Sequence, residues 1–127
     1  MKPKILIIDD ESSILHALQI FLEQEGFSVQ ANDKYNNILE RSEDNELPDL
    51  VILDILLMEE DGRMISKKLK ENPRTSHIPI ILISAHPTAY KTAKHSKADA
   101  FLPKPFNPTV LLDTIERLTK SKLNAQL

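Results

Sequence analysis

The sequence predicts an α/β protein with a five-stranded parallel sheet and helices on both faces, a doubly wound (βα)5 arrangement. Three observations carry that expectation. Short apolar runs alternate with longer stretches in which apolar residues recur at helical spacing. The central run, Leu50-Val51-Ile52-Leu53-Asp54, follows the breaker Pro48-Asp49 and reads as a strand buried on both faces. Two other runs also end in polar groups, and C-terminal strand ends are where open α/β sheets present their sites.

The elements follow in order. Ile5-Leu6-Ile7-Ile8 is the first strand and ends in Asp9-Asp10-Glu11. Ile14, Leu15, Leu18, Phe21 and Leu22 recur at helical spacing, and Gly26 stands where a glycine would stop that helix. Phe27 to Ala31 alternates and reads as the second strand. Residues 32–47 are polar, with Tyr35, Ile38, Leu39 and Leu47 as the buried candidates, so a short helix is expected over Tyr35 to Arg41. After the central strand comes a loop from Ile55 to Gly62. Ile65 and Leu69 mark the next helix, ended by Asn72-Pro73. Pro79 to Ile83 is the fourth strand, ending at Ser84. Thr88 to Ser96 is a thinly apolar candidate helix. Ala100-Phe101-Leu102 is the fifth strand, followed by Pro103-Lys104-Pro105. Asn107 caps a last helix with Pro108 at its first position and Leu111, Leu112, Ile115 and Leu118 on one face. A frayed tail is expected from about 121 to 127, and no repeat or second domain is visible.

Composition bounds the function. The chain has 127 residues, close to the usual size of one domain. Hydrophobic content of 41% with 28% charged residues fits a globular protein rather than a disordered one. A net charge of −3 argues against a stand-alone nucleic-acid binder. The absence of cysteine excludes a disulfide scaffold and a cysteine metal site. No apolar stretch approaches the ~20 residues of a membrane helix. Met1-Lys2-Pro3-Lys4 runs into a strand with no cleavage pattern, so a cytoplasmic location is the default expectation.

A parallel sheet of this order brings the strand ends to one edge, gathering Asp9, Asp10, Asp54, Ser84 and Lys104. Three carboxylates in one crevice repel one another. At ~4 Å and an effective dielectric near 20, each pair costs about 4 kcal/mol. A divalent cation relieves that repulsion, and hard carboxylate oxygens suit Mg²⁺. Lys104 offsets part of the remainder, and the Ser84 hydroxyl can donate to an anion. A carboxylate nucleophile, a metal, a lysine and a hydroxyl form a site for phosphoryl transfer to aspartate.

The ordered set Asp9-Asp10, Asp54, Asp61-Gly62, Ser84-Ala85 and Lys104-Pro105-Phe106 resembles the receiver domain of two-component response regulators over nearly the whole chain. The resemblance implies a flavodoxin-like fold in a single receiver domain over 1–127. It implies that Asp54 accepts a phosphoryl group from a sensor histidine kinase or a histidine phosphotransfer protein. Asp10, Asp54 and the backbone carbonyl of Leu56 would hold Mg²⁺ directly, and Asp9 through a water. Ser84 and Lys104 would grip the phosphoryl oxygens, Phe101 matches the family's aromatic switch position, and Lys104-Pro105 would be cis. Expected partners include the kinase, meeting the first helix near Ile14 and Leu15, a downstream protein target and a phosphorylation-dependent dimer. No direct nucleic-acid or membrane partner is expected. The chemistry implied is phosphoryl acceptance and slow self-dephosphorylation, not classical enzymatic turnover. Three departures stand out: Met58 where the family usually has Pro, Lys97 where it usually has Gly, and a Ser84-to-Lys104 stretch about two residues short.

Two other classes compete with the phosphoacceptor switch. A phosphate-independent pseudo-receiver is disfavoured because all five chemical groups are present. A flavin carrier would want a Ser/Thr/Gly-rich loop where Asp9-Asp10-Glu11 stands, and a dehalogenase-type phosphatase would want an Asp where Leu56 stands. His16, His77 and His95 read as solvated or capping residues, while His86 lies near the expected site mouth. Lys91, Lys94, His95 and Lys97 read as a solvated basic helix face.

Overall fold

The computed structural model describes residues 2–86 and 88–125. Five parallel strands, β1 (Lys4–Ile8), β2 (Ser28–Asn32), β3 (Leu50–Asp54), β4 (Ile80–Ser84) and β5 (Ala100–Pro103), form one sheet in the order β2-β1-β3-β4-β5. Helices α1 (Ser12–Gln24), α2 (Ile38–Arg41), α3 (Gly62–Glu71), α4 (Ala89–Ala93) and α5 (Pro108–Ala125) fill the connections. The strands separate two apolar layers. Side chains alternate across a strand, so Leu6, Ile8, Val51, Leu53 and Leu82 join one core with Tyr35, Leu39, Ile65 and Leu69. Ile5, Ile7, Leu50, Ile52, Ile81 and Ile83 join the other with Leu15, Leu18, Leu22, Leu111 and Ile115. Every residue of β3 and β4 is buried, as the unbroken apolar runs require.

Most boundaries fall where the residues place them. Gly26 has φ +97°, its N–H bonds the carbonyl of Glu23, and the N–H of Phe27 bonds that of Leu22. This is a Schellman closure of α1, with Phe27 and Leu22 in the same apolar cluster. Phe27 therefore belongs to the helix stop, and β2 begins one residue later than the alternation suggests. The Asn107 side chain accepts from the Thr109 N–H at 2.7 Å and caps α5, which runs to Ala125 where a tail was expected from about 121. Gln126 and Leu127 of that expected tail lie outside the described residues.

Two elements differ from the sequence expectation. The helix expected from Tyr35 starts at Ile38, because Asn36 and Asn37 take left-handed backbone conformations with φ 47° and 53°. Tyr35 instead drops into the core, where it hydrogen-bonds Glu40; burial first, and then Glu40, raise its pKa. The thinly apolar fourth helix covers only Ala89–Ala93 and tightens into a 3-10 turn over Lys94–Ser96. Lys97 ends that turn at φ 62°, ψ 17°.

Glycine adopts that left-handed backbone without strain. A side chain in the left-handed region costs roughly 1–2 kcal/mol, whereas glycine gives back about 0.5–1 kcal/mol of that as chain entropy. The Lys97–Glu71 ion pair is exposed on both sides and adds little. Lys97→Gly is therefore expected to raise stability by about 0.5–1 kcal/mol, read as a higher urea midpoint at unchanged slope.

Candidate functional site

Adjacent strands β1, β3 and β4, with β5 beside them, deliver their C-terminal residues to one edge. Asp9 follows β1, Asp54 ends β3, Ser84 ends β4 and Lys104 follows β5. Carboxylate oxygens of Asp9, Asp10 and Asp54 lie within 4.8 Å of one another, with Asp9 and Asp54 buried and Asp10 half-buried. Lys104 must cross β4, roughly 10 Å of sheet, to reach Asp54, and one strand further to reach Asp9. Its ammonium donates to Asp9 Oδ2 at 2.8 Å and Asp54 Oδ2 at 3.1 Å, with Glu11 Oε1 at 3.8 Å.

The electrostatics follow from that crowding. Burial, then the charge of Asp9, push the Asp54 carboxyl up to about 6, against the opposing pull of the Leu56 N–H and Lys104. Burial works against the Lys104 charge, but its hydrogen bonds to Asp9 and Asp54 outweigh burial and hold its pKa above the ordinary lysine value. The donor set facing the crevice is three carboxylates, hard oxygens that fit a small divalent cation.

The β3–α3 loop is pinned by backbone. The Leu56 N–H donates to Asp54 Oδ1 at 3.1 Å, and Gly62 N–H to the Ile55 carbonyl at 2.7 Å. Leu56 and Asp61 form an antiparallel bridge across the loop. A Cβ on Gly62 would stand 2.2 Å from the Asp54 carbonyl oxygen, so only glycine lets α3 start against the site strand. Asp61 caps α3 through the Arg63 N–H at 2.8 Å. The Arg63 guanidinium clasps the same carboxylate at 2.6 Å and keeps its pKa below the usual range. Arg63 also reaches Thr92 of α4. Sequence reasoning found Asp61-Gly62 as a motif but missed the steric role of Gly62, the Arg63 link and the approach of Glu11.

Ser84 is buried; its Oγ accepts from the His86 N–H at 3.0 Å, and its carbonyl accepts from the Lys104 N–H at 2.8 Å. Lys104-Pro105 is cis, as the resemblance implies. Phe101 pairs in register with Leu82, two residues before Ser84, so Phe101, Leu82 and Ser84 share one face of the sheet. His86 is exposed, with Nδ1 2.7 Å from Thr88 Oγ1. Leu56 and Met58 are exposed beside the mouth, 53% and 91%. Leu15, paired with Ile14 in the sequence reading, is core; Ile14 itself lines a surface groove beside Lys104.

Comparison with known proteins matches this arrangement. The family model "Response regulator receiver domain" covers residues 5–116. The chain belongs to the response regulator receiver domain family. It is 32% identical over 126 residues to the response regulator PleD of Caulobacter vibrioides, an alignment covering 97% of this chain and 27% of PleD. It is 34% identical over 110 residues to PhoP of Bacillus subtilis, an alkaline phosphatase synthesis transcriptional regulatory protein, covering 85% of this chain and 45% of PhoP. The chain thus spans about a quarter to a half of the length of the curated relatives it matches. Among solved structures, a CheY-like receiver of Methanospirillum hungatei superposes with a TM-score of 0.86 at 25% identity, covering 98% of this chain and 99% of that one. The BeF3-activated DrrB receiver domain superposes at 0.78 with 28% identity, over 94% and 99% of the two chains. The receiver is a phosphoacceptor module of two-component signalling, and Asp9, Asp10, Asp54 and Lys104 form its acidic pocket. Among the described residues no helix is long and apolar enough to cross a membrane.

The raised Asp54 pKa fixes a sign. The folded state holds this proton more tightly than the unfolded state, with pKa about 6 against 3.8. Its contribution is therefore full below about pH 4 and is lost as pH rises through about 6. Without metal, Asp54→Asn is expected to exceed wild type in stability above pH 6 by up to about 3 kcal/mol, with the gap closing toward pH 4. Urea unfolding in chelator across that range measures it.

Proposed function

We propose that residues 1–127 form one receiver in which Asp54 is the phosphoacceptor. The observation that carries this is the position of Asp54: it ends the central buried strand, with Lys104 at 3.1 Å and the Leu56 N–H at 3.1 Å on its two oxygens. An ionised Asp54 oxygen attacks the phosphorus of a partner's phosphohistidine. The O–P bond forms, the P–N bond breaks, and the imidazole leaves with a proton from solvent. Lys104, already held at the site, moves its hydrogen bond from Asp54 to a phosphoryl oxygen. The Ser84 hydroxyl, whose oxygen accepts from His86 N–H, has its own proton free to donate to another. Asp10, Asp54 and the Leu56 carbonyl would hold Mg²⁺, with Asp9 acting through a water. When bound, the ion neutralises the crowded carboxylates and the charge on the transferring group.

The partner is a histidine kinase or histidine phosphotransfer protein in the cytoplasm. An apolar groove lined by Ile14, Ala17, Leu18, Phe21, Pro105 and Phe106 opens beside Lys104 and suits a helix carrying the donor histidine. Output to a downstream target runs through Ser84 and Phe101. As Ser84 moves toward phosphate, Phe101 turns into the space it leaves, and the altered surface recruits the target or a second receiver. Phe101 has no hydroxyl, so its inward state gains burial without a terminal hydrogen bond. Its coupling should fall in the range of about 1–3 kcal/mol usual for allostery.

Wild type is expected to take label from a small phosphodonor with Mg²⁺, and Asp54→Asn to take none while remaining folded. Equal labelling of both would remove Asp54 from this role. Beryllofluoride, the activator of the similar DrrB receiver, should bind wild type only with Mg²⁺ present.

The lifetime of the acyl phosphate follows from the mouth. Exposed Leu56 offers no hydrogen bond to orient an attacking water, and each 1.36 kcal/mol of missing transition-state stabilisation slows hydrolysis about tenfold. Leu56→Asn is expected to shorten the decay of labelled protein about tenfold. An unchanged decay curve would shift control of water to His86.

A further inference from the structure

We propose that the α3–α4 face is a docking surface for a second copy of this chain, bound head to tail through the acidic remainder of that copy. Charge segregation is the first observation. Residues 62–104 carry nine Lys and Arg against two Asp and Glu, a net +7, while all other residues carry seven against seventeen, a net −10. The sequence reading took Lys91, Lys94, His95 and Lys97 as a solvated helix face. The fold adds α3 to it. Arg63 bonds Thr92 of α4, while Lys70 bonds Asp99 at 3.0 Å and Glu71 bonds Lys97 at 3.3 Å, so this stripe of α3 runs along the border of α4 and of the turn that follows it. Lys67, four residues after Arg63, lies in the middle of that stripe.

Most cations here are already neutralised, Arg63 by Asp61, Lys68 by Glu40, Lys70 by Asp99 and Lys97 by Glu71. Lys67, Lys91 and Lys94 are exposed and, among the described residues, make no ion pair. The face is also hollowed: Met64, Lys67, Lys68, Glu71, Asn72 and Pro73 line a shallow depression in which Met64 is 63% exposed. An exposed thioether beside the unpaired Lys67 ammonium suits a protein surface with carboxylates and some apolar area.

The choice of occupant follows from the charge balance. A nucleic acid would meet three free lysines on a molecule whose net charge is −3 and whose remainder is −10. A lipid surface would want large apolar groups to insert. A second copy brings the opposite sign by construction. Contact between unlike patches is heterologous, so it adds copies in series and does not close a symmetric dimer. It needs no phosphate, which separates it from a phosphorylation-dependent dimer and from the assignment of Asp54.

The experiment is sedimentation velocity on the full chain and on a folded Lys91→Glu/Lys94→Glu variant. Wild type should associate with rising concentration at low ionic strength and weaken at least about tenfold as the Debye length shrinks toward ~3 Å near 1 M salt. The variant alone should stay monomeric. A fluorescently labelled variant should still sediment with unlabelled wild type, because it keeps its acidic surface and can cap one end. Asp54→Asn should associate like wild type. A wild type that is monomeric at every salt concentration overturns the proposal, as does a variant that associates with itself like wild type. A variant that binds neither itself nor wild type would indicate a symmetric contact and overturns it too. So would a monomeric wild type that binds a single-stranded oligonucleotide or anionic phosphatidylserine vesicles.

Discussion

Two carboxylates at the ends of neighbouring buried strands need a cation between them. Hydrogen bonding between β1 and β3 sets Ile8 against Leu53, so Asp9 and Asp54 are brought together by the sheet itself. The Lys104 ammonium is the protein's own answer. It bonds Asp54 from two strands away and Asp9 from three, which ties β5 and the cis Lys104-Pro105 turn to the site. The answer is partial, because Asp54 still holds its proton up to about pH 6. That residual repulsion is what a divalent cation or a proton relieves, so the site is arranged for binding at the expense of the metal-free fold.

The second constraint is the close approach of α3 to the site strand. Gly62 lies against the Asp54 backbone, and a side chain there would collide with the carbonyl of the residue that bears the functional carboxylate. This contact, the Leu56–Asp61 bridge and the Leu56 N–H bond to Asp54 hold the loop in place with Met58, and no proline, at its exposed tip. Backbone hydrogen bonds supply the order that a fixed proline φ would supply elsewhere. From the same helix start, Arg63 runs to Thr92, so the site strand, α3 and α4 are joined by a short series of direct contacts.

The connection between Ser84 and Lys104 holds little regular helix. Only one turn of regular helix forms before the chain tightens and reverses at Lys97. The buried anchors of that segment are small, Ala89, Ala93 and Ser96, and the Ser66 hydroxyl bonds the Ser96 carbonyl at 3.0 Å. With so little apolar area to bury, the segment leans on α3 and turns its lysines outward. The basic face is thus a by-product of how that connection packs.

Periodicity and punctuation in the sequence determined much of this protein. The three unbroken apolar runs required buried parallel strands, Gly26 and Asn107 marked helix ends, and the order of Asp9, Asp10, Asp54, Ser84 and Lys104 at strand ends outlined the pocket. Those features are local, and local steric and hydrogen-bonding preferences suffice to read them. Other features were decided by tertiary structure. Tyr35 reads as helical until the left-handed Asn36 and Asn37 turn it into the core. Gly62 reads as a motif letter until the Asp54 carbonyl stands against it. The reach of Lys104 across β4 and the link from Arg63 to Thr92 join residues far apart in the chain. Distances between such residues are set by strand order and helix packing, and no local pattern encodes them.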